Sequence, residues 1–371
     1  METSEKLANH PIQTAIVIGA SLSGLMAAIA LAEEGIRVTV IEKVDENRQE
    51  GSGLRVNGGT IGKSKTERLL KHIVSAGQDC MQLWSSIELR LRIYANQLSL
   101  ITIQYRTRVQ QIEQNEEEVW VVTENGQVIE GDILIGADGH NSIVRAHISP
   151  RHPHATYAGY MGWIASMSEE DLPKHLQLAV TLQNQTVEMF ESSNGFKFGS
   201  IIKREVDSNE GRRVGCTWYD NKRSDLLRQL GCIEGMVVRH SLKGEDVPET
   251  TLCELAEQAD SWPEPWRTAA LYAIQSRTLI GIPIKEYVPD RLVKGRIAIV
   301  GDAAHVPAPV TASGFNESLQ DAVILGNCVA QQSTTAQEAR DVLANYESQR
   351  LQIVRQMVLS GAFYTRSFGR P

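Results

Sequence analysis

The chain has 371 residues, 42% hydrophobic and 22% charged, with 37 basic against 45 acidic side chains and a net charge of −8. That length suits two domains or one large α/β body with an ample core, and the acidic balance argues against a nucleic-acid surface. Five scattered cysteines (Cys80, Cys216, Cys232, Cys253, Cys328), with no Cys-x-x-Cys pair, read as reduced thiols and not as a disulfide framework or a zinc site. The polar N-terminus has no apolar signal-peptide core and no apolar run reaches membrane-spanning length. The expected setting is cytoplasmic, with no membrane partner and no metal.

The stretch from Ala15 to Glu42 predicts a strand, a glycine turn (Gly19-Ala20-Ser21-Leu22-Ser23-Gly24), an alanine-rich helix and a second strand ending in an acid. Gly19 permits a tight turn off the strand, and Gly24 lets the helix pack close to the sheet. The helix start offers free N–H groups and partial positive charge to a pyrophosphate. Glu42, 18 residues after Gly24, suits a carboxylate that accepts from a ribose diol. Ser21 stands where the pattern has its middle glycine. Its Cβ narrows the approach to phosphate, while its hydroxyl can donate to it. The whole reads as a βαβ unit built for a dinucleotide, an ordinary crossover with a glycine-rich turn being the alternative. A 2′-phosphate beside Glu42 would meet like charge, so NADP is not expected in this site.

Further along, Gly51-Ser52-Gly53 is either backbone close to a ligand or a solvent loop. Residues 65–94 are mostly helical in pattern, interrupted near Gly77. Residues 98–103 and 108–112 read as strands, and 119–122 with 127–129 as a hairpin with a type I′ turn at Asn125-Gly126. A buried strand, 132–135, then runs into Gly136-Ala137-Asp138-Gly139, either a second phosphate-side turn or a capped helix start. After Pro150, segments 157–167, 176–182, 187–190, 196–202 and 213–219 predict an antiparallel sheet. Its aromatics (Tyr157, Tyr160, Trp163, Phe190, Phe196, Phe198, Trp218, Tyr219) are pocket walls or sheet core. Helical segments follow near Leu226 and over 251–259. Strand 296–300 returns the chain to α/β, ending in Gly301-Asp302-Ala303-Ala304-His305. A loop with Pro307 and Pro309 leads into a helix near Phe315-Asn316, and a last helix covers 336 to about 360. His152 and His154 flank Pro153 in a loop and are not read as metal ligands.

In order along the chain, Gly19 to Gly24 with Glu42, Gly136-Ala137-Asp138-Gly139…Arg145, and Gly301-Asp302-Ala303-Ala304-His305…Pro309…Gly314…Asn316…Asp321-Ala322 resemble the three signatures of single-component FAD-dependent aromatic hydroxylases. These are the p-hydroxybenzoate hydroxylase-like monooxygenases, and the resemblance covers nearly the whole chain. Residues 157–163 and 309–314, with Ser21, are most similar to its 2,6-dihydroxypyridine 3-monooxygenase branch. The resemblance implies an α/β protein in which a Rossmann-like FAD-binding domain (1–152 and 286–371) is interleaved with a smaller α+β substrate domain (153–285) carrying the antiparallel sheet.

It also implies roles. Glu42, with Lys43, holds the adenosine ribose; Ser21 and Leu22 face the pyrophosphate; the backbone of Val109 meets the adenine. Asp302 bonds a ribityl hydroxyl, and the loop from Pro309 to Gly314 brings the flavin ring to the next helix. The N–H groups of Gly314, Phe315 and Asn316 then face flavin N1 and O2, where charge gathers on reduction. Asp138 is shared between FAD and NAD(P)H use, or simply caps a helix. The chemistry implied is hydroxylation of an electron-rich aromatic or N-heteroaromatic substrate with NADH or NADPH and O2, through a C4a-hydroperoxyflavin on non-covalent FAD. Tyr160, Tyr219 and His305 are pocket candidates, a structural role being the favoured reading of histidine at 305. The substrate-activating base has no assignment.

Two departures stand out. The branch carries Arg-Gly after the tryptophan where this chain has Ile164-Ala165, and many members place an arginine against the pyrophosphate where Trp84 aligns. The segment between Gly53 and Trp84 is also short for the family, so the pocket is more open than in the family, or closed by a partner subunit in a homodimer. A non-catalytic or degenerate flavin-binding protein and another flavin-dependent oxidoreductase remain alternatives. A halogenase is disfavoured, since Trp262 and Trp266 are four apart and the Trp-x-Trp-x-Ile-Pro signature is missing. An NAD-dependent dehydrogenase would leave 302–314 idle.

Overall fold

The computed structural model describes residues 12–46, 53–56, 62–77, 80–177, 187–192, 195–202, 212–335 and 338–369. Its opening unit is strand β1 (Thr14–Ile18), helix α1 (Leu22–Glu33) and strand β2 (Arg37–Ile41). β1 is parallel to β2 and, on its other side, to Ile133–Gly136. The sheet has six strands in the order Val293–Lys294, Ile297–Ile299, Ile133–Gly136, β1, β2, Ile101–Gln104. Only Val293–Lys294 runs antiparallel to its neighbour. The β-branched runs of these strands are buried, as a sheet covered on both faces requires.

α1 is buried nearly all round. Its alanines allow this, because the helix is in contact both with the sheet and with the long helix Gly314–Thr335. Gly326 of the long helix faces Ala30 so closely that a Cβ there would lie 3.2 Å from the alanine methyl. One apolar core runs through this region, from Ile12 to Ile148 and again from Leu292 to Val354.

A second sheet of eight strands holds a separate core. Thr156–Ser168 is its spine, antiparallel to both Arg213–Asp220 and Ile280–Glu286. The helices Glu249–Ala259 and Trp266–Gln275 contribute to that core, which contains Trp163, Trp218, Trp262 and Trp266. Trp163 stacks on Trp218 with centroids 6.4 Å apart. Those two aromatics are therefore sheet core and not pocket wall. Tyr219, next along the strand, points to the opposite face. There it packs with Tyr160 and Ile284 in a smaller cluster.

Several expected elements differ. Residues 65–94 break near Gly77 as expected, where Ala76 (φ 47°) and Gly77 (φ 74°) turn left-handed, but a strand, Cys80–Leu83, stands between the helices Lys65–Ser75 and Trp84–Gln97. The turn after Val119–Thr123 is not type I′. Only Gly126 has positive φ (80°), and its N–H bonds Thr123 O at 2.9 Å, which is a type I turn closed by a left-handed glycine. Residues 174–177 are helical, against the strand expected from 176, and 178–186 lie outside the described residues, as do Gly51 and Ser52 and the side chains of Phe190 and Phe196. The last helix, Ala339–Phe368, runs about two turns beyond the expected end.

Candidate cofactor site

The first turn is held by contacts that leave no room for side chains. Gly19 has φ +104°, and a Cβ on it would lie 2.4 Å from Ala137 O; a Cβ on Gly24 would lie 1.8 Å from Gly19 O. Ser21 is the N-cap of α1 in extended conformation, yet its side chain makes no capping bond. Its hydroxyl is thus not used up by the helix, and the N–H of Leu22 is among the first-turn donors that a helix leaves without an internal acceptor. Glu42 is buried. Its Oε2 accepts from Ala20 N at 2.8 Å and its Oε1 from Val44 N at 3.1 Å, so it braces the glycine turn. Lys43 is exposed. Thr107 N donates to Glu42 O at 2.9 Å, so the chain crosses the end of β2 just before it reaches Val109.

The second turn lies against the first. Ala137 N donates to Ile18 O at 2.8 Å. The N-cap of the short helix Ile143–Ile148 is Ser142, whose Oγ accepts from Arg145 N at 2.8 Å; Asp138 braces it, accepting from the Ser142 hydroxyl (2.5 Å) and from Ile143 N (2.7 Å). From that helix the fully buried Arg145 reaches the third turn. Its guanidinium donates to Pro153 O (3.0 Å), Asp302 O (3.1 Å), Ala303 O (3.2 Å) and His140 O, and lies 4.5 Å over the Tyr287 ring.

The third turn closes the group. Gly301 (φ +59°) presses on α1, where a Cβ would lie 2.0 Å from Ser23 Oγ. The Asp302 carboxylate is 42% exposed, with Oδ2 3.2 Å from His140 Nε2. Lys285 is half-buried nearby; desolvation pushes its ammonium down, against the attraction of Asp302, and Arg145 pushes it the same way. His305 takes the structural role and does not line a pocket. It is fully buried, with Nε2 2.7 Å from Asp321 Oδ2. Asp321 Oδ2 also accepts from Gly301 N at 2.9 Å, and Oδ1 from Arg350 Nε at 2.8 Å. Burial alone would raise the Asp321 carboxyl, but His305, Arg350 and the Gly301 N–H hold it below the usual range.

Beyond this turn, Pro309–Thr311 is a short 3-10 segment and Ala312 is left-handed (φ 49°). Gly314 is not; it starts the helix Gly314–Thr335, and a Cβ there would meet only Pro307, at 3.5 Å. The left-handed residue of this loop is therefore Ala312, before the helix start. The N–H groups of Gly314, Phe315 and Asn316 are in the first turn and have no intrahelical acceptor.

The chain matches the FAD binding domain family over residues 12–91 and 80–360. The chain belongs to that family. FAD-dependent urate hydroxylase of Klebsiella oxytoca is 26% identical over 381 residues, covering 93% of this chain and 88% of the relative. Among solved structures, 2,6-dihydroxypyridine-3-hydroxylase from Arthrobacter nicotinovorans superposes with a TM-score of 0.76 at 20% identity, over 97% of this chain and 94% of that one. Klebsiella pneumoniae HpxO complexed with FAD and uric acid gives 0.69 at 22% identity, over 99% and 91%. The protein is a FAD-dependent monooxygenase of the aromatic-hydroxylase group.

The residues present fit FAD. The Gly19 and Gly24 contacts, the uncommitted Ser21 hydroxyl, the half-exposed Asp302 and a helix start with free donors lie on three turns that touch one another. The flavoprotein's apolar cluster lies beside the loop of the third motif. Tyr160 is fully buried and edge-on to Tyr219 at 5.5 Å; Phe198, Ile282 and Val310 are partly buried around them. Tyr160 therefore stands behind the cluster's surface, not on it. Ile164 is half-buried in the sheet spine and Trp84 packs on the main core. His140, Lys285 and the Asp321–Arg350 pair had no role in the sequence reading. Glu317 and Asp321, four apart on one helix face, were the available signal, since both accept from Arg350.

Proposed function

We propose that this monooxygenase hydroxylates an electron-rich aromatic or N-heteroaromatic ring, with NADH or NADPH as reductant and O2 as oxidant. The observation that carries this reading is the placement of Asp302, Ser21 and the start of the helix at Gly314 on adjoining turns, with the aromatic cluster of Tyr219 and Phe198 next to the loop between them. Bound FAD supplies electron transfer and the activation of oxygen. The chain supplies the rest. Glu42, Ser21 and Leu22 hold the adenosine and diphosphate end, with Lys43 and the Val109 backbone beside them. Asp302 orients the ribityl chain, and Arg145 fixes Asp302 by its backbone. The helix start at Gly314, Phe315 and Asn316, entered through Pro309, offers preorganised donors to developing negative charge. The cluster around Tyr219 excludes water from a flat ring and positions it.

The same reading assigns 1–152 and 286–371 to the FAD unit and 153–285 to the substrate unit, supported by two separate apolar cores. Cytoplasmic residence and a homodimer belong to it as well. The test is NAD(P)H consumption by the FAD-loaded protein against hydroxylated aromatics and N-heterocycles, including 2,6-dihydroxypyridine and urate, with product identified by mass. Gain of one oxygen atom by a probe supports the reading. Hydrogen peroxide with no oxygenated product from any of them overturns it.

A further inference from the structure

The helix Ala339–Phe368 ends where the third-motif loop meets the antiparallel sheet. Gly361 lies on the loop, where a Cβ would sit 3.0 Å from both Ala308 Cβ and Thr311 Cγ2. Two turns later, backbone meets backbone: a Cβ on Gly159 would lie 2.2 Å from Gly369 O, and one on Gly369 2.3 Å from Ala158 O. Asn221 Nδ2 donates to Phe368 O at 2.7 Å, and the Thr365 hydroxyl donates to Glu286. The helix end is thus fastened to both the loop and the sheet. These contacts set the Phe368 ring edge-on to Tyr160, with centroids 5.4 Å apart, in one cluster with Tyr219, Phe198, Ile282 and Val310. Phe368 is only partly buried.

We infer that the end of this helix is one wall of the aromatic-substrate site and that Phe368 sets the size of ring the site accepts. The inference rests on the substrate reading given above. Tyr160 and Tyr219 are buried, and Phe198, Ile282, Val310 and Phe368 are the partly buried side chains packed against them, so a flat ring seated between the sheet face and the loop meets Phe368. The tight glycine contacts at Gly159, Gly361 and Gly369 keep the wall from yielding, so the room available depends on the side chain at 368. One methylene in an apolar pocket changes discrimination about 10- to 200-fold, and Phe368→Ala removes far more than one.

The test uses the FAD-loaded protein and measures dissociation constants from the change in flavin absorbance. The one-ring probe is 2,6-dihydroxypyridine and the two-ring probe is urate. In Phe368→Ala the preference should move toward urate by about tenfold or more, and in Phe368→Leu, which keeps an apolar anchor, by less in the same direction. Unchanged preference in both folded variants overturns the wall and leaves the substrate reading standing. No flavin perturbation by either probe, in wild type or variants, overturns both.

Discussion

Arg350 of the last helix donates to Asp321 of the preceding one, Nε to Oδ1 at 2.8 Å, with the two side chains 4% and 0% exposed. The other oxygen of the same carboxylate takes the Gly301 N–H and faces His305. One buried acid therefore ties two helices to the turn that presents Asp302.

Asp321→Ala should lose about 3–5 kcal/mol of stability, the cost of leaving a buried cation without its partner. A drop in denaturant midpoint with unchanged slope checks this. The pH dependence follows from the lowered carboxyl. A carboxylate below its unfolded value of about 3.9 contributes fully above that pH and loses the contribution as pH falls through its lower native value. The stability gap between wild type and variant should hold from neutrality to about pH 4 and close only below it.

Asp302→Ala should keep the fold and release FAD far more readily. Charge-assisted hydrogen bonds to hydroxyls are worth roughly 1.5–3 kcal/mol, or about 10- to 150-fold in affinity. Titration of apoprotein with FAD measures it, and unchanged affinity removes Asp302 from the site.

Two glycines should respond in opposite ways. Gly24→Ala puts a methyl against Gly19 O and should cost about 1–3 kcal/mol or more, along with FAD binding. The Cβ of Gly314→Val meets only Pro307, at 3.5 Å, so its thermal transition should stay near that of wild type. Its effect should fall on the flavin, with a lower reduction potential and slower reduction by NAD(P)H. The valine keeps its N–H, but its branches would hold the ring off the helix start, and losing one preorganised donor to a developing anion costs about 2.7–4 kcal/mol. A wild-type potential in FAD-saturated Gly314→Val would show that the helix start does not face the flavin.

Ser21 separates capping from phosphate contact. Its side chain makes no cap bond, so Ser21→Ala should leave stability nearly unchanged. If the hydroxyl meets the diphosphate, the same variant weakens FAD binding by about 0.5–1.5 kcal/mol. Equal FAD affinities would confine Ser21 to the turn.

The turns were legible because their demands are local. Gly19, Gly24 and Gly301 each sit where a Cβ would collide with backbone or with a neighbouring side chain, and such constraints leave short motifs in the sequence. The partners of those turns were not legible. Arg145 meets Asp302 across 157 residues, and Asp321 meets Gly301 from a helix whose buried residues are mostly apolar. Nothing in the spacing of His305 distinguished a ring aimed at a pocket from one bonded to Asp321. Trp163 and Tyr219 were equally ambiguous, because the face that each strand residue takes depends on which neighbour covers it.

Ile133–Gly136 lies between Thr14–Ile18 and Ile297–Ile299. On the ribosome the first neighbour is already made, while the second follows only after the entire eight-stranded sheet. For that interval the nascent chain carries an apolar strand with one bare hydrogen-bonding edge, a template for pairing with other chains. Chaperone protection during synthesis is the natural remedy, and a fragment cut after the helix Ile143–Ile148 would keep that edge permanently open.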